Sequence, residues 1–163
     1  MPESWRSRWM RWSFNLFPAY WGTGAHITYI AGDWREVRVR LPLTWRTRNV
    51  VGTIFGGSMY GAVDPIYMVM LIQLLGPDYI VWDKAATIQF RRPGRSTLEA
   101  RFVVDSALLD SIRAELEHAP KAERVLAVEL VGADGTVHAS VDKVLHFRRC
   151  SEAHKPRGTS FCA

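Results

Sequence analysis

The chain has 163 residues, 48% of them apolar and 23% charged, with a formal net charge of +5. That balance is the one of a globular protein and excludes an intrinsically disordered chain, and the length suits a single domain with a core of its own. The basic excess, mostly arginine, suits anionic partners such as CoA phosphates, nucleic acid or a membrane surface without choosing among them.

Residues 3–17 carry Trp5, Trp9, Trp12 and Leu16 at helical spacing, with Arg8 and Arg11 to one side, and predict a helix that covers the edge of the domain. Tryptophan beside arginine is also the composition of interfacial helices, so peripheral membrane contact is a second expectation for this segment. Pro18 and Gly22 break it. Ala25 to Ala31 predicts a strand, and Val37, Val39, Leu41 and Leu43 alternate with charged residues as a half-buried antiparallel strand does. From Gly57 to Leu75 the sequence is apolar on nearly all sides, as in a helix buried within the fold, and Gly76-Pro77-Asp78 ends it.

Downstream, Ala86-Ile88-Phe90 and Leu98-Ala100-Phe102-Val104 return to period two on either side of a Pro93-Gly94 turn. Ser106 to His118 predicts a second helix with Leu108, Leu109, Ile112 and Leu116 inward. Leu126-Val128-Leu130 and Val137-Ala139-Val141 flank Ala133-Asp134-Gly135, a strong hairpin signal. The expected layout is α+β: one domain over residues 1–148, a curved antiparallel sheet wrapped around a central helix, and a flexible tail at 149–163.

Only Cys150 and Cys162 are present, so no disulfide framework holds the fold, and a cytoplasmic location is expected. Arg6, Arg8 and Arg11 interrupt any secretory signal core, and the apolar run from Ile66 through Leu75 falls short of a bilayer, so no transmembrane segment is expected. His146, Cys150, His154 and Cys162 match no zinc spacing; no metal and no cofactor is expected. No Walker loop or dinucleotide fingerprint occurs, Ser58 lacks the nucleophile elbow, and no basic helix or aromatic sheet face supports nucleic-acid binding.

The chemistry concentrates in Asn49-Val50-Val51-Gly52-Thr53-Ile54-Phe55-Gly56-Gly57, followed seven positions later by Asp64. A helix starting at the glycines would aim free N–H groups at whatever sits above the turn, and an acid one or two turns along could reach the same spot. Oxyanion donors with a carboxylate are the parts of acyl transfer or hydrolysis. Asp64-Pro65 also fits a plain helix start, with Asp as N-cap and Pro in the first turn. On a helical wheel Tyr60, Tyr67 and Met68 surround Asp64, and Met59, Met70 and Phe90 promise an apolar pocket. Lys84, Arg91, Arg92 and Arg95 are candidates for phosphate contacts.

The Asn49-x-x-Gly52-Thr53-x-Phe55-Gly56-Gly57 segment with Asp64 resembles the active-site segment of hotdog-fold acyl-CoA thioesterases of the phenylacetate-pathway type. The wider chain, residues 12 to 148, is similar to a bacterial hotdog family of unassigned function, through the N-terminal Trp/Pro helix, Trp82-Asp83-Lys84 and Ile88-x-Phe90-x-x-Pro93-Gly94. The resemblance implies a hotdog domain with an extra N-terminal helix and a homodimer or dimer of dimers with the acyl site between subunits. It implies Asp64 as general base or nucleophile, Gly56 and Gly57 N–H groups on the thioester carbonyl, and Asn49 orienting the turn or a water. The substrate is then a CoA or acyl-carrier-protein thioester, bound by Phe55, Tyr60, Met68, Phe90, Lys84 and Arg92. Phe55 stands where those enzymes usually carry His, which makes the pocket more apolar; a non-catalytic binder of an acyl or lipid-like ligand is the alternative.

Overall fold

The computed structural model describes residues 1–150; the expected tail beyond them, 151–163, lies outside the described residues. The N-terminal helix α1, Trp5–Leu16, opens on a reciprocal cap in which Ser4 Oγ accepts from the Ser7 N–H at 3.1 Å and Ser7 Oγ accepts from the Ser4 N–H at 3.0 Å. A short helix α2, Pro18–Gly22, follows at once, with Pro18 in its first position, where sequence reading placed only a break. Strands β1 (His26–Ile30) and β2 (Glu36–Leu41) pair antiparallel.

The helix expected over Gly57–Leu75 is present as two pieces, α3 (Gly56–Val63) and α4 (Ile66–Leu75). Proline has no N–H to continue the ladder, and the chain breaks at Asp64-Pro65 without leaving the helical region of backbone space. The Tyr20 hydroxyl donates to the Ala62 carbonyl at 3.0 Å just before the break. Gly56–Leu75 together are 20 residues, long and apolar enough by composition to cross a bilayer. Here the stretch is the core helix: Met59, Ala62, Val63, Ile66, Met70 and Leu71 are buried in the fold.

Strands β3 (Tyr79–Phe90) and β4 (Leu98–Val103), helix α5 (Ser106–His118), and strands β5 (Ala122–Gly132) and β6 (Val137–Arg149) complete the domain. All six strands form one antiparallel sheet, in the order β1-β2-β4-β5-β6-β3, curved around the central helix in a hotdog fold. Register follows the apolar pattern: Val37 faces Phe102, Val39 faces Ala100 and Leu41 faces Leu98, all buried on one side. The hairpin at Ala133-Asp134-Gly135 is as expected, with Gly135 at φ 79°. β6 extends to Arg149, and the Cys150 N–H donates to the Asp78 carbonyl at 2.9 Å.

The two ends of the sheet are finished differently. At β1, α1 lies along the edge and supplies side chains to its backbone. Asn15 donates to the Ile27 carbonyl at 2.9 Å and accepts from the Ile27 N–H at 2.7 Å, and Glu3 accepts from the Ile30 N–H at 3.0 Å. The helix does cover the domain edge, but with its polar side: Ser7 is buried, Phe14 packs on the core, and Trp5, Trp9 and Trp12 face outward. Indoles cannot satisfy a strand's backbone groups, whereas Asn and Glu can. At the other end, among the described residues, β3 is an open edge, with Ala85, Ala86 and Thr87 exposed.

Candidate functional site

Asn49 builds the glycine-rich turn. Its backbone N–H donates to the Thr53 carbonyl at 2.8 Å, its Oδ1 accepts from the N–H groups of Val51 (3.1 Å) and Thr53 (3.0 Å), and its Nδ2 donates to Thr53 Oγ1 at 2.9 Å. Gly52 holds φ 81° within this turn, a conformation glycine adopts freely. The side chain of Asn49 is thus occupied in shaping the backbone. The turn is then pinned on both sides, Ile54 N–H donating to the Gly94 carbonyl (2.8 Å) and Phe55 N–H to the Thr47 carbonyl (2.7 Å).

That anchoring aims the start of α3 at a cleft. Phe55 is its N-cap and offers no side-chain bond, so the first N–H groups of the helix, those of Gly56 and Gly57, have no partner among the described residues. A cleft of about 440 Å³ opens beside them, lined by Asn49, Gly56, Met59, Phe90, Arg91 and Arg92 among others. The Phe90 ring packs on Gly56 so closely that a Cβ there would lie 2.9 Å from it, while the Phe55 ring covers Gly57 in the same way. Arg91 Nε donates to Ser140 Oγ at 3.1 Å, and Arg92 makes no ion pair among the described residues. Lys84 lines neither this cleft nor the one at Asp64 described below; it pairs with Glu123 at 2.7 Å on the surface. Met68 packs partly buried against the core, and the buried Tyr67 donates to the Ala127 carbonyl at 2.9 Å.

Asp64 sits elsewhere. It follows α3 in helical conformation, its backbone N–H bonded to the Tyr60 carbonyl, and its carboxylate caps no helix. The N-cap expectation is corrected on this point: Pro65 continues the helical path, leaving no free first turn for Asp64 to cap. Its Oδ1 instead accepts from Lys143 Nζ at 2.5 Å. Asp64 is 42% exposed and lines a second cleft, of about 320 Å³, with Phe14, Phe17, Tyr20, Thr23 and Gly61. Asp64 and the Gly56/Gly57 turn therefore open onto different clefts of one chain.

Lys143 is the residue that sequence reading missed. It is completely buried on β6 between Val141 and Leu145, at an inward position of the alternation Val137-Ala139-Val141-Lys143-Leu145-Phe147. A charge at an inward strand position was the available signal, because a buried ammonium demands partners. It has three. Besides Asp64, Asp83 Oδ1 of β3 lies at 3.2 Å, out of line for a hydrogen bond, and Nζ stands 5.3 Å from the Tyr60 ring centroid. Burial alone would lower the Lys143 pKa, but the bond to Asp64 and the Asp83 charge outweigh it and hold the ammonium above its usual range. Burial pushes the Asp83 carboxyl up against the pull of Lys143, and burial with a hydrogen bond to Asp64 pushes the Tyr60 phenol up. Among the described residues no group of three or more His, Cys, Asp or Glu side chains is gathered to hold a metal ion.

Residues 7–146 match the model of a domain family of unknown function, DUF4442, over most of the chain. The chain belongs to the DUF4442 family. The DUF4442 match spans the Asn49 turn, both central helices and Lys143, so both clefts lie within the family domain. No curated protein matches the chain. Among solved structures, this DUF4442 chain is similar to a Pseudomonas aeruginosa protein described as a probable thioesterase, at TM-score 0.77 and 20% identity over 92% of this chain and 99% of that one. It is also similar to a Haemophilus influenzae thioesterase, at 0.67 and 14% over 94% and 97%. The E. coli PaaI protein of the phenylacetic acid degradation operon gives 0.60 and 19% over 90% and 95%. At these identities the likeness establishes the hotdog fold that the DUF4442 domain adopts.

Proposed function

We propose that the protein hydrolyses acyl thioesters of CoA or acyl carrier protein. The observation that carries the proposal is Asp64: a half-exposed carboxylate lining an apolar cleft and held by a fully buried lysine, in a chain whose helix α3 offers two N–H groups unpartnered among the described residues. The thioester carbonyl oxygen would take the Gly56 or Gly57 N–H groups, which favour developing negative charge. Asp64 as general base would accept a proton from water as the water oxygen bonds to the carbonyl carbon. Collapse of the tetrahedral intermediate then breaks the C–S bond, and the thiolate takes the proton back from Asp64. Asp64 as nucleophile would form an anhydride that water resolves to the same products. Arg91 and Arg92, beside the Gly56 cleft, suit the phosphates of the carrier, and Met59 and Phe90 its acyl or pantetheine portion.

The two halves of this chemistry open on different clefts, and we infer a homodimer that joins them. Asp64 is tied through Lys143 to Asp83 on β3, beside the open sheet edge. A second copy adding its own β3 would bring its residues next to Asp64. A dimer of dimers is compatible with this pairing.

One observation favours a second function: Phe55, 56% exposed, places an apolar ring over Gly57. That suits retention of an acyl or lipid-like ligand without turnover. Free-thiol release across acyl-CoAs of varied chain length separates the two, with hydrolysis of at least one thioester expected. Binding without turnover across the whole panel would make the protein a binding module.

A further inference from the structure

Helix α1 presents an exposed aromatic stripe to solvent. Trp5, Trp9 and Trp12 are 78%, 66% and 63% exposed, and Leu16 continues the same stripe; none of the three indoles makes an aromatic, cation or hydrogen-bond contact among the described residues. The stripe extends through the exposed Phe17 and Trp21, the latter carrying the Arg46 guanidinium 3.9 Å above its ring. Three tryptophans in water on one helix face are costly unless something covers them.

The fold does not spare this face by accident. The opposite side of α1 is fastened by Asn15 and Glu3 to β1, with Arg11 bonded to Glu3 at 2.9 Å. The helix cannot roll its indoles inward without breaking those bonds. Its charges then decide what covers it. α1 contains no acidic residue; with Arg11 neutralised by Glu3, Arg6 and Arg8 remain without an ion pair among the described residues, flanking the stripe. A second copy laid on this face would oppose arginine to arginine. An anionic bilayer would instead take the indoles at its headgroup level and the arginines on its phosphates.

We propose that α1 docks the protein on anionic membrane surfaces, lying in the interface with Trp5, Trp9, Trp12 and Leu16 inserted. This surface is separate from the Gly56 cleft and holds whether or not the protein hydrolyses thioesters.

The test is flotation of the full chain with phosphatidylcholine vesicles, with and without phosphatidylglycerol, alongside quenching of tryptophan fluorescence by brominated lipid. The full chain should float with anionic vesicles and be quenched, with partitioning roughly thirtyfold weaker on pure phosphatidylcholine, as loss of two arginine–headgroup attractions of about 1 kcal/mol each requires. Trp5→Ser/Trp9→Ser/Trp12→Ser should abolish flotation at an unchanged melting temperature, because these side chains support nothing in the fold. Arg6→Glu/Arg8→Glu should abolish only the anionic preference. A full chain that stays in solution with anionic vesicles, or a triple variant that floats as well, would overturn the proposal. So would light scattering in which the tryptophan variant falls to a smaller assembly than the full chain, since the face would then belong to a second copy.

Discussion

Lys143 Nζ lies 2.5 Å from Asp64 Oδ1, with the lysine entirely buried and the aspartate at the mouth of a cleft. The pair sets a solvent-facing carboxylate on a buried cation, which fixes its position and ties it, through Lys143 and Asp83, to β3. The consequences of this pairing are open to mutation.

Asp64→Asn should abolish thioester turnover, because an amide can act neither as base nor as nucleophile. Asn keeps the shape, but Lys143 then retains Asp83 alone. A stability loss of roughly 1–3 kcal/mol is expected, between the limits for exposed and buried pairs. Thermal unfolding and thiol release on the same preparation check both parts. Full turnover in the Asn variant would remove Asp64 from the mechanism.

Lys143→Ala should be the more damaging change, by about 3–5 kcal/mol, since it opens a cavity and strands two carboxylates. Lys143→Met combined with Asp83→Leu should recover much of that loss by replacing the buried charges with apolar volume. Denaturant titration of the single and double variants measures the coupling; additive effects would mean that Asp83 and Lys143 do not act as a pair.

Alkaline pH supplies a second handle. The Lys143 pKa is raised above 10.5 in the folded chain, so its contribution to stability is complete below that pH and is lost as pH rises through the folded value. Tyr60, raised above 10.0, acts in the same sense. The melting-temperature gap between the native sequence and Lys143→Met, which retains Tyr60, should therefore narrow as pH climbs past 10.5. A gap that stays constant through that range would mean that Lys143 gains nothing from its partners.

Dimerisation through β3 predicts that Ala86→Glu/Thr87→Glu, placing like charges along the exposed edge, yields a monomer without thioesterase activity. Light scattering and thiol release decide. A monomeric native sequence that turns over substrate would show that one chain is a complete enzyme.

Gly56→Ala places its new Cβ 2.9 Å from the mobile end of the exposed Phe90 side chain. The ring can swing away, so the stability cost should be small, about 1 kcal/mol, while the cleft beside the N–H donors narrows and KM rises. Phe90→Leu added to Gly56→Ala should restore KM; no recovery would place the substrate elsewhere.

Much of the fold was legible because its elements repeat a clear period. β2 alternates buried and exposed residues, α5 carries Asp105 as an N-cap accepting from Leu108 at 2.8 Å, and the Asp134-Gly135 turn announces its hairpin. β3 was longer than its pattern suggested because Ala85, Ala86 and Thr87 are exposed and show no alternation. The Asn49 turn could be located from its glycines, yet the function of the Asn49 amide in it depends on bonds to Thr53 that spacing does not specify. Lys143 and Asp64 are far apart in sequence, and their pairing depends on how β6 passes the Asp64-Pro65 break. The orientation of α1 lies beyond the pattern for a different reason: periodicity tells which face is apolar, and only the hydrogen-bonding needs of β1 decide which face turns inward.

The unequal finish of the two sheet ends also governs stoichiometry. Asn15 and Glu3 occupy backbone groups of β1 that an incoming strand would need, while β3 offers a free edge. Among the described residues, the strand addition proposed above then has only β3 to β3 open to it, and each such union would consume the free edge of both participants. Growth by this proposed route would terminate at two copies, so the side chains of the first helix would protect a protein with a long exposed strand from polymerising into fibres.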